Sequence, residues 1–315
     1  MDKVCTVIVT YNGVQWIQKC LDHLLAGSMP SEIIVVDNFS TDDTLSVLDL
    51  YSSRIILIKS GTNLGFGGGN NIGIKKALER NASYIFLLNQ DAYVESNCLE
   101  SLVHSLKKYP GFGIMSPLQL NSSGTGLDHA FKKYVSKYIT QGFDNNLSAL
   151  REQNSNRVPL TVRFANAAGW MLPSKALSQV GYFHPAFIHY GEDNNYSSRM
   201  QYHGYKIGID CNAAMIHDRQ ETTGEADKLL LRKLRTVPLY TLLDIRKPFV
   251  LAWLSGFLKL NRLKSKLEAL NSVALNDYYP EQKKWFTVNL KKAVAIRKET
   301  KQPCKVAPAQ NQQTH

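Results

Sequence analysis

Hydrophobic and polar positions alternate in blocks through roughly the first third of the chain. Val4–Thr10 is an uninterrupted β-rich run, and Ile33–Asp37, Arg54–Lys59 and Tyr84–Leu88 repeat the pattern. Between these runs, Val14–Leu25, Thr41–Tyr51 (opened by Ser40), Asn71–Arg80 and Ser96–Lys108 carry helical spacing. Continuous apolar strands separated by helices predict βαβ units and a mostly parallel sheet buried on both faces. Residues 121–160 are polar and irregular and read as a loop or hairpin excursion. Order returns at Val162–Leu172, followed by helices at Ser174–Val180 and Glu192–His203 and a short strand at Tyr205–Asp210. From Lys228 the pattern is basic and helical, and from Glu299 it is polar, Pro-containing and expected to be disordered. No internal repeat is visible at periods of about 20–50 residues.

Composition adds two constraints. At 315 residues and 44% hydrophobic, the chain can bury a large core. Its charge is unevenly placed. Residues 1–224 hold 19 basic and 19 acidic side chains, whereas residues 225–315 hold 18 basic and 7 acidic, so the whole net charge of +11 lies in the last part. A nucleic-acid-binding protein needs basic residues on its body as well, so that class is excluded. The five cysteines are scattered without a C-x-x-C pair and are expected to be reduced. The first strand begins at once, without the basic segment and small-residue site of a signal peptide, and none is expected. The longest apolar stretch, Pro248 to Leu258, is about half of the ~20 residues that a spanning helix needs.

Candidate chemistry gathers at the carboxyl ends of the strands, where open α/β sheets bind ligands. The first strand ends in Thr10-Tyr11-Asn12 and the second in Asp37-Asn38. The third leads to Asn63 and a glycine-rich segment, Gly65–Gly69, and the fourth ends in Asn89-Gln90-Asp91. Each is equally an ordinary cap or turn when taken singly; as a set they suit one hydrophilic ligand. The glycines fit neither G-x-G-x-x-G nor a P-loop. They read either as a flexible turn before a helix or as a close backbone approach to a ligand. Asp91 with a neighbouring amide oxygen can hold a hard divalent cation that also binds diphosphate. Gly191-Glu192-Asp193 opens a helix, a position that favours carboxylates through the helix dipole alone. The turn Asn166–Gly169 ends in Trp170, and His217 follows an apolar stretch.

In this order the motifs resemble the family 2 glycosyltransferases of the GT-A fold, close to the bacterial rhamnosyltransferase-like branch. The matching strings are Val7-Ile8-Val9-Thr10-Tyr11-Asn12, Ile34 through Asp42, Asn63 through Gly73, Leu87-Leu88-Asn89-Gln90-Asp91 and Gly191-Glu192-Asp193, over roughly residues 3–220. The resemblance implies a Rossmann-like, mostly parallel α/β sheet with flanking helices, with the basic helical region as a C-terminal extension. The divisions it suggests are a glycosyltransferase domain over 1–224, with a nucleotide-binding half at about 1–120 and an acceptor half at 121–224. The basic helical extension would then cover 225–298 and a disordered tail 299–315.

The resemblance also assigns roles. Thr10, Tyr11, Asn12 and Asp37 would line the nucleobase and ribose pocket, while Asn63, Gly68, Asn70, Asn89 and Gln90 would face the nucleotide-sugar. Trp170 would contact sugar or acceptor. Asp91 and His217 would hold Mg2+ or Mn2+, and Asp193, with Glu192 as second candidate, would be the catalytic base. Asn89, a neutral ligand, replaces a carboxylate of the family's metal motif, which weakens the expected metal site, and Gln90 replaces a proline common in this branch. No Q-x-x-R-W string occurs, which points to transfer of single sugars.

The implied activity is inverting, non-processive transfer from dTDP-rhamnose or a UDP-hexose to a glycan or lipid-linked acceptor in surface polysaccharide synthesis. The alternatives are a nucleotidyltransferase and an inactive nucleotide-sugar-binding module. Residues 225–298 mix apolar, aromatic and Lys/Arg positions. They fit an amphipathic surface for an anionic membrane, or equally a helical unit packed on the body or in a homodimer. The expected location is the cytoplasm, peripheral to the inner face of the plasma membrane.

Overall fold

The computed structural model describes residues 2–136, 158–188, 190–219, 226–272 and 275–304. A nine-stranded sheet forms the centre, in the order β3-β2-β1-β4-β8-β6-β9-β5, with β7 pairing onto β9. Strands β1 (Val4–Thr10), β2 (Glu32–Asp37), β3 (Ile55–Lys59) and β4 (Tyr84–Asn89) are mutually parallel. β8 (Gly169–Pro173) runs antiparallel to β4 and to β6 (Phe112–Leu120). β9 (Lys206–His217) is parallel to β6, and β5 (Ala92–Val94) and β7 (Leu160–Val162) pair antiparallel with it. The expected α/β architecture, a mostly parallel sheet with flanking helices, is present.

The period of two along each strand sends alternate residues to two separate cores. Cys5 and Val7 of β1 join Ile34 and Val36 of β2 on one face, while Val4 and Ile8 join Ile33 and Val35 on the other. Helix α1 (Ile17–Leu25) covers the second face with Ile17, Cys20, Leu21 and Leu24, the i, i+3, i+4, i+7 stripe of an amphipathic helix. Helix α2 (Thr44–Asp49) is short. Helix α3 spans Gly65–Glu79, so the glycine-rich segment is helix and not a loop. The reason is packing. A Cβ at Gly69 would stand 2.6 Å from Val9 Cγ1, and one at Gly73 would overlap Val7. The glycines let α3 lie directly on β1.

Two strands escape the sequence pattern. β6 contains Gly113 and Pro117, which read as breaks. Pro117 sits where the β6–β9 register shifts, the place in a sheet that tolerates a missing N–H. β9 continues past Asp210 because the register jumps from Pro117↔Asp210 to Leu118↔Ala214, absorbing Cys211-Asn212-Ala213 in a bulge. Helix α4 (Cys98–Lys108) precedes β6, and α5 (His129–Ser136) and α6 (Ser174–Val180) flank β7 and β8 in sequence. Most of the polar excursion, 137–157, lies outside the described residues.

Helix α7 (Glu192–Tyr202) leads into β9, and four helices follow: α8 (Ala226–Leu242), α9 (Phe249–Glu268), α10 (Leu275–Lys284) and α11 (Leu290–Lys301). They enclose a third core of Leu234, Leu239, Leu242, Leu243, Leu260, Leu267, Phe286 and Ile296, which also takes in Phe187 from the sheet-bearing part. Buried Arg297 ties α11 to the α8–α9 connection, donating to Leu242 O and Asp244 O at 2.7 Å and to Lys247 O at 2.5 Å. The region is therefore a packed helical unit. Disorder from Glu299 is not what the structure shows up to residue 304: Thr300 is buried, and Cys304 N–H donates to Gln179 O at 2.9 Å. The rest of that segment lies outside the described residues. Among the described residues no disulfide joins any of the five cysteines.

Candidate active site at the strand ends

Register brings the predicted strand ends level. Thr10 pairs with Asp37, and Val9 pairs with Asn89, so β1, β2 and β4 finish at one edge of the sheet. Gln90 then locks β1 to β4. Its Oε1 accepts from Thr10 Oγ1 at 2.6 Å and Tyr11 N–H at 3.0 Å, and its Nε2 donates to Tyr11 O at 3.3 Å. A Cβ at Gly13 would overlap Gln90, so the clamp needs glycine there. Asn12, at φ 47°, receives a second tie: its N–H donates to Ser40 Oγ at 3.0 Å and its Oδ1 accepts Thr41 N–H at 2.8 Å. Tyr11 is left exposed at the mouth.

Asp37 is buried beneath this mouth. Oδ2 accepts Ser40 N–H at 3.2 Å, while Oδ1 is buried and has no hydrogen-bond partner among the described residues. A buried carboxylate oxygen without a donor is costly unless a ligand supplies one. Asn63 is a local organiser: its Oδ1 accepts Gly65 N–H at 2.9 Å and Asn38 Nδ2 at 3.0 Å, fixing the entry to α3. Asn70 is buried and donates to Phe66 O of its own helix at 2.9 Å, so the structure turns it away from open space. Gly68 stays half-buried on the helix surface.

The fourth strand end meets the end of β9. Ala92 pairs with His217, which sets His217 Nε2 3.5 Å from Asp91 Oδ1 and 3.5 Å from Asn89 Nδ2. Two residues that no spacing argument connects are thus neighbours. Arg219 was not singled out from sequence, although it follows His217 by two positions. Its Nε lies 3.2 and 3.4 Å from the two ring nitrogens. Asp218 accepts from Tyr93 OH at 3.1 Å. Among the described residues no three His, Cys, Asp or Glu side chains converge as a closed metal cage. One carboxylate, one imidazole and an amide fit an open site that a divalent ion would complete with phosphate oxygens and water.

The turn before α7 supplies the third component. Gly191 sits at φ 91°, where a Cβ would also come within 3.2 Å of Phe187 and 3.4 Å of Thr236. Glu192 is buried, with Oε2 unpartnered among the described residues; burial, then the Asp193 charge, pushes its carboxyl up to about 8. Asp193 is half-buried. Burial raises its carboxyl above the ordinary range, while N–H donors from Asn194 and Ala167 hold part of that rise back. The 166–168 loop links this turn to the end of β4. The Ala167 backbone amide lies close enough to Asp193 to help hold its carboxyl down, and Ala168 O accepts Asn89 N–H at 2.9 Å. Trp170, expected at the ligand, is instead fully buried. Its ring centroid lies 6.4 Å from Phe183 and 6.1 Å from Tyr196. The small-residue turn is at the site; the aromatic that ends it points into the core.

Glu192 makes a stability prediction with a definite sign. A carboxyl whose folded pKa is about 8 keeps a proton that the unfolded chain has released above about 4.5. Stability therefore falls as pH rises through that window. Glu192→Gln should be more stable than the parent at pH 8, by roughly 1–3 kcal/mol, and should converge with it near pH 5. Urea unfolding at both pH values checks this. An identical difference at the two would mean that Glu192 is not held neutral.

The model of the family described as "Glycosyl transferase family 2" matches residues 5–181, more than half of the chain. The chain belongs to glycosyl transferase family 2. Among curated relatives, "Low-salt glycan biosynthesis hexosyltransferase Agl10" of Haloferax volcanii is 27% identical over 66% of this chain and 64% of its own length. The "N-acetylglucosaminyl-diphospho-decaprenol L-rhamnosyltransferase" of Mycobacterium tuberculosis is 22% identical over 71% of this chain and 78% of its own. The chain spans less than two thirds of the first of these, and only 16% of a poly(ribitol-phosphate) β-glucosyltransferase of Bacillus spizizenii, to which it is 36% identical over 31% of this chain. The Staphylococcus aureus TarS structure with UDP-GlcNAc superposes with a TM-score of 0.56 at 16% identity, over 95% of this chain and 89% of that one. The Pyrobaculum calidifontis mannosyltransferase PcManGT with GDP-Man and Mn2+ gives 0.56 at 16%, over 95% and 86%. These structural likenesses establish the fold.

Proposed function

We propose that the chain is an inverting glycosyltransferase that moves one hexosyl unit from a nucleoside-diphosphate sugar to a glycan or lipid-linked acceptor in surface glycan assembly. The observation that carries this reading is the 166–168 loop. Within two residues it lies beside Asp193 on one side and pairs with Asn89 of the Asn89–Asp91 strand end on the other. A proton acceptor and a diphosphate-facing end are held on one short segment, as a single in-line displacement requires.

The residues divide the work. Asp37 Oδ1 accepts a nucleobase N–H, with Thr10, Tyr11 and Asn12 around it. His217 and Arg219 face the diphosphate. Asp193 takes the acceptor hydroxyl proton while that oxygen attacks the anomeric carbon opposite the leaving nucleoside diphosphate. Its raised proton affinity suits it to this near neutral pH. Glu192 stays protonated there and is not a competing base. Asp91 and His217, with the Asn89 amide, would hold Mg2+ or Mn2+, and such an ion offsets charge on the leaving diphosphate when bound. With a single carboxylate among these ligands, its affinity for the ion should be low without nucleotide. The likeness to the L-rhamnosyltransferase makes dTDP-rhamnose the first donor to try, ahead of the UDP-hexoses.

The test is thermal unfolding of the full chain with a panel of nucleotide-sugars, with Mn2+ and with EDTA. One donor should raise the midpoint selectively, more with Mn2+ than with EDTA. No response to any nucleotide-sugar would count against the reading, and an undiminished response in EDTA would remove the metal.

A further inference from the structure

Helix α9 has two faces of different character. Ala252, Gly256, Leu260 and Leu267 are buried. Gly256 in particular lets the helix cross α8 closely, since a Cβ there would stand 3.0 Å from Pro238 O and 2.7 Å from Phe286. This inner stripe satisfies the packing that an amphipathic helix demands. The outer stripe is also apolar. Leu251, Leu254 and Leu258, at i, i+3 and i+7, are 56%, 46% and 60% exposed, and Val250 beside them is 70% exposed. They border a shallow groove of about 390 Å³ whose far end is formed by Lys259 and Arg262. Exposed Arg262 and Lys266 continue the same face toward the helix end. Across its 20 residues α9 carries four basic side chains and one acid, Glu268.

We propose that this outer face of α9 seats on an anionic lipid surface, with the leucines in the headgroup boundary and Arg262 and Lys266 against lipid phosphates. Charge selects the occupant. The excess of 18 basic over 7 acidic residues in 225–315 is the whole +11 of the chain, while the sheet-bearing part is neutral. An apolar stripe running into cations is the pattern that combines insertion with attraction to anionic headgroups. A second copy fits less well. Four aliphatic side chains fall well short of the ~800 Å² that each partner of a stable dimer buries. Among the described residues no helix is long and apolar enough to cross a membrane, so the attachment would be interfacial and reversible. The inference needs no donor or acceptor and stands whether or not the transferase reading holds.

The experiment is co-sedimentation of the full chain with phosphatidylcholine vesicles, with and without phosphatidylglycerol, at low and high salt. Two variants accompany it: Leu251→Ser/Leu254→Ser/Leu258→Ser and Arg262→Glu/Lys266→Glu. These positions are on the surface, and circular dichroism will show that the variants remain folded. The parent should bind only the phosphatidylglycerol vesicles, less at high salt. The serine variant should lose at least about tenfold in affinity, and the charge-reversed variant should lose the preference for anionic lipid. No binding by the parent, or undiminished binding by the folded serine variant, overturns the proposal. So does a parent that light scattering shows to be a dimer and a serine variant that is a monomer, because the face would then belong to a second copy.

Discussion

Replacing Asp193 by Asn should lower turnover by about 10²–10⁴ and leave nucleotide-sugar binding unchanged. The amide keeps the shape and can still accept from Asn194 N–H, so the turn before α7 should stand; what is lost is the proton acceptor. The two neighbouring carboxyls differ in environment, and that difference makes the prediction specific. Glu192 is buried with an unpartnered oxygen and is neutral until about pH 8. Asp193 is reachable and hydrogen-bonded. Under the proposed mechanism Asp193 is the working base and Glu192 its neutral neighbour, a division that their unlike exposure and hydrogen bonding support. Because burial raises Asp193, the acid limb of kcat/KM should lie above the ordinary aspartate range, with activity gained as pH rises through it. Steady-state rates across pH, with donor binding measured separately, check both points. Turnover within about tenfold of the parent would remove Asp193 from the role.

Trp170→Ala should destabilise the fold by about 3–5 kcal/mol, the largest stability loss expected from a single truncation here. The indole is fully buried in the core that also contains Phe183 and Tyr196. Removing it leaves a cavity that two strands and α7 cannot close. Trp170→Phe keeps most of the contact and deletes an N–H that has no partner among the described residues, so it should cost far less. Urea denaturation of both variants separates a core tryptophan from one that contacts ligand. A ligand-facing residue would give a nearly normal midpoint with weakened binding.

Strands β1 to β4 were legible because they read as unbroken apolar runs, with cores on both faces of the sheet. Their polar ends were legible because the run stops there. β6 was not, since Gly113 and Pro117 look like breaks until the bulge opposite them on β9 is seen. The glycine-rich segment was ambiguous for a related reason. Glycine is what close approach requires whether the approaching object is a ligand or, as with Gly69 and Gly73, the strand beneath. Trp170 shows the limit of a local motif: a small-residue turn followed by an aromatic is the same string whichever way the ring points. Arg219 carried no motif at all, and only the pairing of Ala92 with His217 gives it a setting. The basic helical region was the reverse case. Its charge was obvious, but its inner stripe could have packed on the body, on a second copy or on lipid, and three-dimensional contact was needed to tell the stripes apart.

Gly191 rests against Phe187 and Thr236, so the wall behind Asp193 is built from both sides of the charge boundary. Arg232 adds to it, its guanidinium lying 4.9 Å from the centre of the Tyr190 ring. Asp37 and the strand ends, by contrast, are fixed within the sheet. On the roles proposed for these residues, changes in α8 would re-aim Asp193 at a differently shaped acceptor while the pocket around Asp37 stays as it is. The choice of what is modified would then drift independently of what is donated.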